Sequence, residues 1–409
     1  MENPNLGPII GDGSLDGEHQ HGLFHTCSLA ALVAPHKGQQ MGFKRSLSLV
    51  WCIAFVILAS CRPEPVLNVS TLVSGLTNPW DLAWLPDGTL LVTERPGRLN
   101  VYVDGPENPP VVFTPLDVVA AGEGGMLGLD VDPLFSENGY VYVCMVSDAD
   151  GPTDVRVARF TLSSTGNAIL DRTDIVTGIT YGGGRHSGCR PRFGPDGYLW
   201  VGTGDAAIGT VPQDEDSLGG KVLRVTRDGN AAPDNPSGRL WYSKGHRNVQ
   251  GIAFFPFVNG VVGISAEHGP DVDDEVNLLV PGNFGWDPIP GYNEAVPMTD
   301  LQKFPDAVEA IWSSGSPTIA PSGATFLTGP QWLSYENCLA VATLKAQHLH
   351  LFVIANDGQA ARDFVRITNQ GRLRSPRQGP DGNLYITTDQ GGTSGRVIKV
   401  VPTDPNASS

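Results

Sequence analysis

The stretch Gly194-Pro195-Asp196-Gly197-Tyr198-Leu199-Trp200-Val201-Gly202-Thr203 joins a tight-turn signal to a short apolar strand, and the chain uses that unit more than once. Leu85-Pro86-Asp87-Gly88-Thr89-Leu90-Leu91-Val92-Thr93 is a second copy, and Gly379-Pro380-Asp381-Gly382-Asn383-Leu384-Tyr385-Ile386-Thr387-Thr388 is a third. In each, proline pre-sets φ, glycine supplies the φ > 0 residue of the turn, and the residues that follow read as a strand. Weaker copies lie between them: Asp132-Pro133 with Asn138-Gly139 before Tyr140, Phe255-Pro256 with Asn259-Gly260 before Val261, and Gly329-Pro330 before Leu339. The six prolines are roughly 50–75 residues apart with almost no helical periodicity between them, a spacing that suits four-stranded blades with insertions. The expected fold is therefore all-β, a six-bladed β-propeller with four-stranded blades. A pair of β-sandwiches is the alternative, but it gives no reason for one turn–strand unit to recur around the chain.

Composition agrees with a turn-rich globular body. Of 409 residues, 50 are glycine and 33 proline, and 40% are hydrophobic, enough to bury a core. The formal net charge of -16 repels phosphate backbones, and no basic patch offsets it, so a nucleic-acid partner is not expected.

The start of the chain reads as an address. Residues 1–40 are polar and aperiodic, an upstream over-read or a disordered segment. From Met41 a basic pair, Lys44-Arg45, precedes an apolar run, Ser46 to Ala59, about as long as the core of a signal peptide. The run is too short for a comfortable membrane span. It ends in Leu58-Ala59-Ser60-Cys61, which resembles a bacterial lipobox. These features predict a lipoprotein signal peptide over 41–60, lipidation at Cys61, a tether over 61–68, a propeller over 69–402 and a tail over 403–409. The protein is expected on the periplasmic or extracellular face of the cell envelope, tied to the membrane only through lipid; an uncleaved anchor is the alternative. With Cys61 lipidated, Cys144, Cys189 and Cys338 allow at most one disulfide, and no Cys-x-x-Cys pair supports a zinc or redox motif.

Chemistry concentrates where histidines sit among glycines and charges. His186 follows Gly182-Gly183-Gly184-Arg185, and Asp205 lies one turn and one strand later, where a returning strand could set a carboxylate beside the imidazole as its orienting partner. The run from Gly202 to Gly209 lacks Gly-x-Gly-x-x-Gly spacing and opens no βαβ unit, which excludes a dinucleotide loop. Gly245-His246-Arg247-Asn248 offers guanidinium and amide donors to an anionic or carbonyl-rich ligand. Glu267-His268-Gly269-Pro270-Asp271-Val272-Asp273-Asp274-Glu275 clusters carboxylates on irregular backbone, which points to Ca²⁺ without the spacing of an EF-hand. Lys345, Arg372 and Arg374 could together face a polyanionic small molecule, or each could simply be solvated.

In order along the chain, Thr77-Asn78-Pro79-Trp80-Asp81-Leu82-Ala83, Gly122-Glu123-Gly124-Gly125-Met126-Leu127-Gly128, Gly245-His246-Arg247-Asn248, Glu267-His268-Gly269-Pro270 and Asp273-Asp274-Glu275-Val276-Asn277 resemble the pyrroloquinoline quinone (PQQ)-dependent glucose/sorbosone dehydrogenase family, especially its bacterial aldose sugar dehydrogenases. The likeness spans about residues 69–402, and the family's fold is a six-bladed propeller. It implies that His186 is the general base for the sugar C1 hydroxyl, with hydride passing from C1 to C5 of the quinone. Asp205 would hold that histidine, and Arg247 would be a cation beside the reacting quinone oxygens. Asn248, Thr318, Lys345, Arg372 and Arg374 match cofactor contacts, and the carbonyls of Gly269 and Pro270 match ligands of an active-site Ca²⁺.

Two positions depart from the better-known glucose enzyme. Glu123 and His268, on the cofactor side, stand where that enzyme has glutamines; Glu123 would add negative charge, and His268 could make the metal side pH-sensitive. Asp273, Asp274 and Glu275 could hold a second, structural Ca²⁺. The function this implies is PQQ- and Ca²⁺-dependent oxidation of aldoses to lactones, with a quinone or small electron carrier as acceptor. A non-enzymatic extracellular ligand-binding propeller and a Ca²⁺-dependent lactonase are the alternatives, because fold alone does not set activity.

Overall fold

The computed structural model describes residues 62–255, 262–355 and 358–407. Cys61 and the leader before it lie outside that range, as does the turn at Pro256 and Asn259-Gly260.

Six antiparallel sheets follow one another along the chain. Their first strands are Pro79–Trp84, Met126–Val131, Arg190–Phe193, Val249–Phe254, Pro321–Phe326 and Leu373–Gln378. Each packs on the first strands of its two neighbours, and the sixth meets the first, so the ring closes as a six-bladed propeller. Five blades have four strands; the third gains a short fifth, Gly282–Asn283, running parallel to Trp241–Lys244. Closure is built from both ends of the chain. Val66–Leu76 pairs antiparallel with Gly395–Thr403, from Val66 opposite Thr403 to Leu76 opposite Gly395, and completes blade six as its outer strand.

The expected tether is therefore shorter than 61–68. Strand structure begins at Val66, and the residues just before it are docked: Glu64 binds Arg366 at 2.6 Å and accepts the Tyr335 hydroxyl at 2.9 Å, and Arg62 pairs with Glu336.

The recurrent turn has one structural meaning. In blades one, three and six it joins the first strand to the second, and Gly88, Gly197 and Gly382 take φ of 92°, 76° and 75°. Aspartate supplies a further bond: Asp87, Asp196 and Asp381 each accept the backbone N–H two residues on, at 2.9, 3.3 and 3.1 Å. The weaker copies at Pro133 and Pro330 occupy the same place in blades two and five.

Six apolar clusters fill the six gaps between blades. Leu91, Leu99 and Val101 of blade one face Leu129, Val141 and Val143 of blade two, and Trp200 and Val222 of blade three face Val249 and Ile252 of blade four. Because both faces of a blade are covered, strands such as Leu90–Glu94 and Leu339–Thr343 are buried at every position instead of alternating. Covalent and ionic ties also cross between blades. Cys144 of blade two and Cys189, just before blade three, form a disulfide with Cα atoms 6.0 Å apart, and Cys338 stays free and buried. At the first strands, fully buried Asp81 receives Arg190 at 2.7 Å and Arg192 at 2.9 Å.

Candidate active site

The polar residues singled out by sequence gather at the end of the ring opposite the recurrent turns. They lie on segments that lead into first strands (Glu123, His186, Arg247, Asn248, Thr318, Arg372) or that join second strands to third (Asp205, His268, Gly269, Pro270, Lys345). Arg374 is on the first strand of blade six itself.

His186 is buried and held at φ 50°. Its Nδ1 lies 2.8 Å from Asp205 Oδ1, and the fully buried carboxylate can only accept, so the proton sits on Nδ1 and Nε2 keeps its lone pair. The Asp205 carboxylate takes three more donors: the Ala207 N–H at 2.8 Å, the Trp286 indole at 2.8 Å and the Tyr292 hydroxyl at 2.7 Å. Tyr292 is also 3.0 Å from His186 Nδ1, and burial together with the Asp205 charge pushes its phenol well above the usual range. The close approach needs glycine at 204, where a Cβ would come within 1.8 Å of the His186 carbonyl oxygen. The nearest polar neighbour of Nε2 is a guanidinium nitrogen of Arg185, 3.5 Å away. The arrangement is an imidazole oriented by a buried carboxylate, with the long Arg185 contact on its Nε2.

Glu123 does not simply add charge. Its Oε2 accepts the His186 backbone N–H at 2.9 Å, so it fixes the loop that carries the base. Arg247 donates to Glu294 at 2.6 Å and to the His268 carbonyl at 3.2 Å, and Glu294 also accepts Arg185 at 3.0 Å. Partial burial pushes Glu294 up, but the hydrogen bond and charge of Arg247 outweigh it and hold the carboxyl below its ordinary range. Asn248 Oδ1 accepts from the Gly188 N–H at 3.2 Å and from Gln250 Nε2 at 3.1 Å, which orients the amide. His246, by contrast, spends Nδ1 on Glu267 and Nε2 on Ser243, and stacks on Phe284; it is a structural residue.

A cavity of about 160 Å³ is lined by Trp80, Arg95, Glu123, His268, Arg372 and Arg374, among others. Arg374 pairs with Asp389 at 3.0 Å and lies over the Trp80 ring, and Lys345 donates to Thr318 at 2.5 Å beside the same cavity. Burial, followed by the charge of Arg247, pushes His268 down to about 3. It is a neutral ring across the physiological range, and the pH-sensitive role expected for it is corrected accordingly.

Buried polar atoms in this neighbourhood with no protein partner include Ser187 Oγ, Arg247 Nε, Asn248 Nδ2 and His268 Nε2. Such atoms cost about 1–3 kcal/mol each when left unpaired, so they mark places for a ligand. Two nitrogen donors and an imidazole beside Arg372, Arg374 and Lys345 fit a planar, carbonyl-bearing polyanion, and the chemistry of a quinone tricarboxylate such as PQQ matches that set.

The carboxylates Asp273, Asp274 and Glu275 face different partners. Asp274 accepts the Gly269 N–H at 2.8 Å on one oxygen and the Ile319 and Ala320 N–H groups at 2.6 and 2.7 Å on the other, so it shapes the Gly269-Pro270 turn. Asp273 accepts Ser313, whereas Glu275 accepts Asn277 and Thr299 and is pushed up by burial and by the charge of Glu267. Among the described residues no three histidine, cysteine, aspartate or glutamate side chains are arranged around a common metal position.

Sequence reading did not single out Trp286, Tyr292 or Glu294. All three sit in the insertion between Gly282–Asn283 and Trp312–Ser313, which carries no copy of the recurrent unit. The one available signal is the gap between Pro256 and Pro330, the widest of the five.

Residues 76–399 match the family model described as "Glucose / Sorbosone dehydrogenase". The aldose sugar dehydrogenase YliI of Escherichia coli is 32% identical over 380 residues, covering 88% of this chain and 99% of that protein. Quinoprotein glucose dehydrogenase B of Acinetobacter calcoaceticus is 32% identical over 418 residues, covering 80% and 86%. Among solved structures, the PQQ-bound aldose sugar dehydrogenase of Streptomyces coelicolor is 30% identical, covers 84% of this chain and 100% of its own, and superposes with a TM-score of 0.69.

Proposed function

Because the chain belongs to the glucose/sorbosone dehydrogenase family, we propose that it is a quinoprotein that oxidises the anomeric carbon of aldose sugars to lactones, with PQQ and Ca²⁺ as its cofactors. The observation that carries this reading is the His186–Asp205 pair, at the same end of the ring as the unpartnered Arg247 Nε, Asn248 Nδ2 and His268 Nε2.

PQQ, when bound, supplies the acceptor for hydride and Ca²⁺ the Lewis acid that polarises it. The protein does the rest. His186 Nε2 removes the proton of the C1 hydroxyl, and Asp205 stabilises the imidazolium that forms. The Trp286 and Tyr292 donors hold the Asp205 carboxylate in place. Arg247, Asn248 and His268 bind and orient the quinone side, while Lys345, Thr318, Arg372 and Arg374 face its carboxylates. Gly269 and Pro270 carbonyls would hold the active-site Ca²⁺, in a turn that Asp274 shapes through the Gly269 N–H. The lipobox-like Leu58-Ala59-Ser60-Cys61 supports an enzyme anchored at Cys61 in the cell envelope, passing electrons to a quinone or small carrier.

The test is dye reduction by the purified full-length protein, titrated with PQQ and Ca²⁺ across a panel of aldoses. Turnover that needs both cofactors, and that is lost in His186→Ala while PQQ still binds, is the expected result. Tight PQQ binding with no turnover on any aldose would overturn the substrate assignment, and absence of PQQ binding would overturn the reading as a whole.

A further inference from the structure

Away from the active-site base, blade five carries a second group of histidines. His348 and His350 are two apart in Gln347-His348-Leu349-His350, where the second strand of the blade turns into the third, and this spacing sets both rings on one face of the hairpin. His348 Nε2 lies 3.3 Å from His350 Nδ1. On its far side, His350 Nε2 lies 2.6 Å from Asp363 Oδ2. Phe352 stacks on the His350 ring at 4.6 Å and Trp312 meets it edge-on at 5.3 Å, so the ring cannot easily turn away.

Counting protons gives this geometry its meaning. Asp363 can only accept, which puts the proton of a neutral His350 on Nε2. With that proton on Nε2, His350 turns its Nδ1 lone pair toward His348 Nε2, and a cation between the two nitrogens would take the place of the proton they share. The distance fits one: bonds of about 2.0–2.1 Å at a tetrahedral angle place two imidazole nitrogens about 3.3 Å apart.

We propose that His348 Nε2 and His350 Nδ1 bind a divalent transition-metal ion of the Zn²⁺ class, with Asp363 as the carboxylate that orients His350 from behind. Imidazole nitrogens select such an ion over Ca²⁺, which prefers oxygen. A carboxylate on the far nitrogen of a ligating histidine fixes its tautomer and raises its basicity, which is the role Asp363 takes here. His348 is only half-buried, so water can reach the ion and complete its shell. The ion would pin the hairpin that also bears Lys345.

The experiment is calorimetric titration of Zn²⁺ into EDTA-treated, dialysed full-length protein, with excess Ca²⁺ present to keep oxygen-ligand sites filled. Wild type is expected to bind one equivalent that His348→Gln and His350→Gln each lose. Asp363→Asn, on an outer strand with its carboxylate partly exposed, should keep that equivalent with affinity about 10- to 100-fold weaker. Metal-free melting temperatures close to wild type check that the variants fold, and Zn²⁺ should raise the melting temperature of wild type but not of His348→Gln. Unchanged stoichiometry and affinity in His348→Gln, or no saturable binding by wild type, would overturn the site.

Discussion

Tyr292 donates its hydroxyl to Asp205 Oδ2 at 2.7 Å from an insertion 87 residues further along the chain. The carboxylate that orients the base is thereby held from two sides, by its own blade and by a segment outside the repeat. Tyr292→Phe removes one donor to a buried charge, a bond worth about 1.5–3 kcal/mol. If it acts mainly in the transition state, kcat should fall roughly 10- to 100-fold with little change in KM. An unchanged kcat would show that Trp286 and the Ala207 N–H suffice to hold Asp205.

The propeller was legible because its period is written in turn chemistry, and that chemistry is local: Pro-Asp-Gly sets φ wherever it occurs. That His186, Arg247, Lys345 and Arg372 share one end of the ring was legible in part, because the motifs and turns that carry them fall between strands. What escaped was the part of the site that depends on contacts distant in sequence. Nothing near Tyr292 or Glu294 announces that their insertion reaches back to Asp205 and Arg247. The role of Glu123 was missed for a related reason: its charge is visible in the sequence, but its bond to the His186 N–H depends on how two loops meet.

Asp81 offers a test of the core that is separate from the active site. Burial pushes its carboxyl up, but Arg190 and Arg192 outweigh that and hold it well below the usual carboxylate range. A carboxyl depressed on folding contributes stability that is present above its unfolded pKa and is lost as pH falls through the folded one. Wild type should therefore lose stability as pH drops below about 4. Asp81→Asn leaves two buried guanidinium groups without their anion, and should cost about 3–5 kcal/mol at neutral pH while flattening the acid limb. Melting temperatures from pH 3 to 7 decide it; parallel curves for the two proteins would show that Asp81 does not control the acid response.

The Cys144–Cys189 bridge closes a loop with a sequence separation of 45 and ends three residues from His186. The chain-entropy account gives roughly 4 kcal/mol for a loop of that length. The double variant Cys144→Ser/Cys189→Ser should melt roughly 5–10 °C lower. Activity should fall beyond what stability explains, because the bridge also anchors the C-terminal end of the segment that carries His186. Unchanged kcat at a temperature where both proteins are folded would confine the bridge to stability.

Glu294 gives the last prediction, because its two partners compete with its absence in opposite ways. It neutralises Arg247 at 2.6 Å and Arg185 at 3.0 Å, and it is partly exposed. A polyanionic cofactor approaching Arg247 meets this carboxylate as a like charge. Glu294→Gln should therefore tighten PQQ binding, by about 3-fold given the screening at an exposed position. The gain should shrink at high salt, where the Debye length falls toward about 3 Å. Titration of the cofactor-free protein with PQQ at low and high ionic strength separates the possibilities. Tighter binding that salt abolishes means Glu294 opposes the cofactor through charge. Weaker binding at both salts means its hydrogen bond is what sets Arg247 in position, and the electrostatic reading fails.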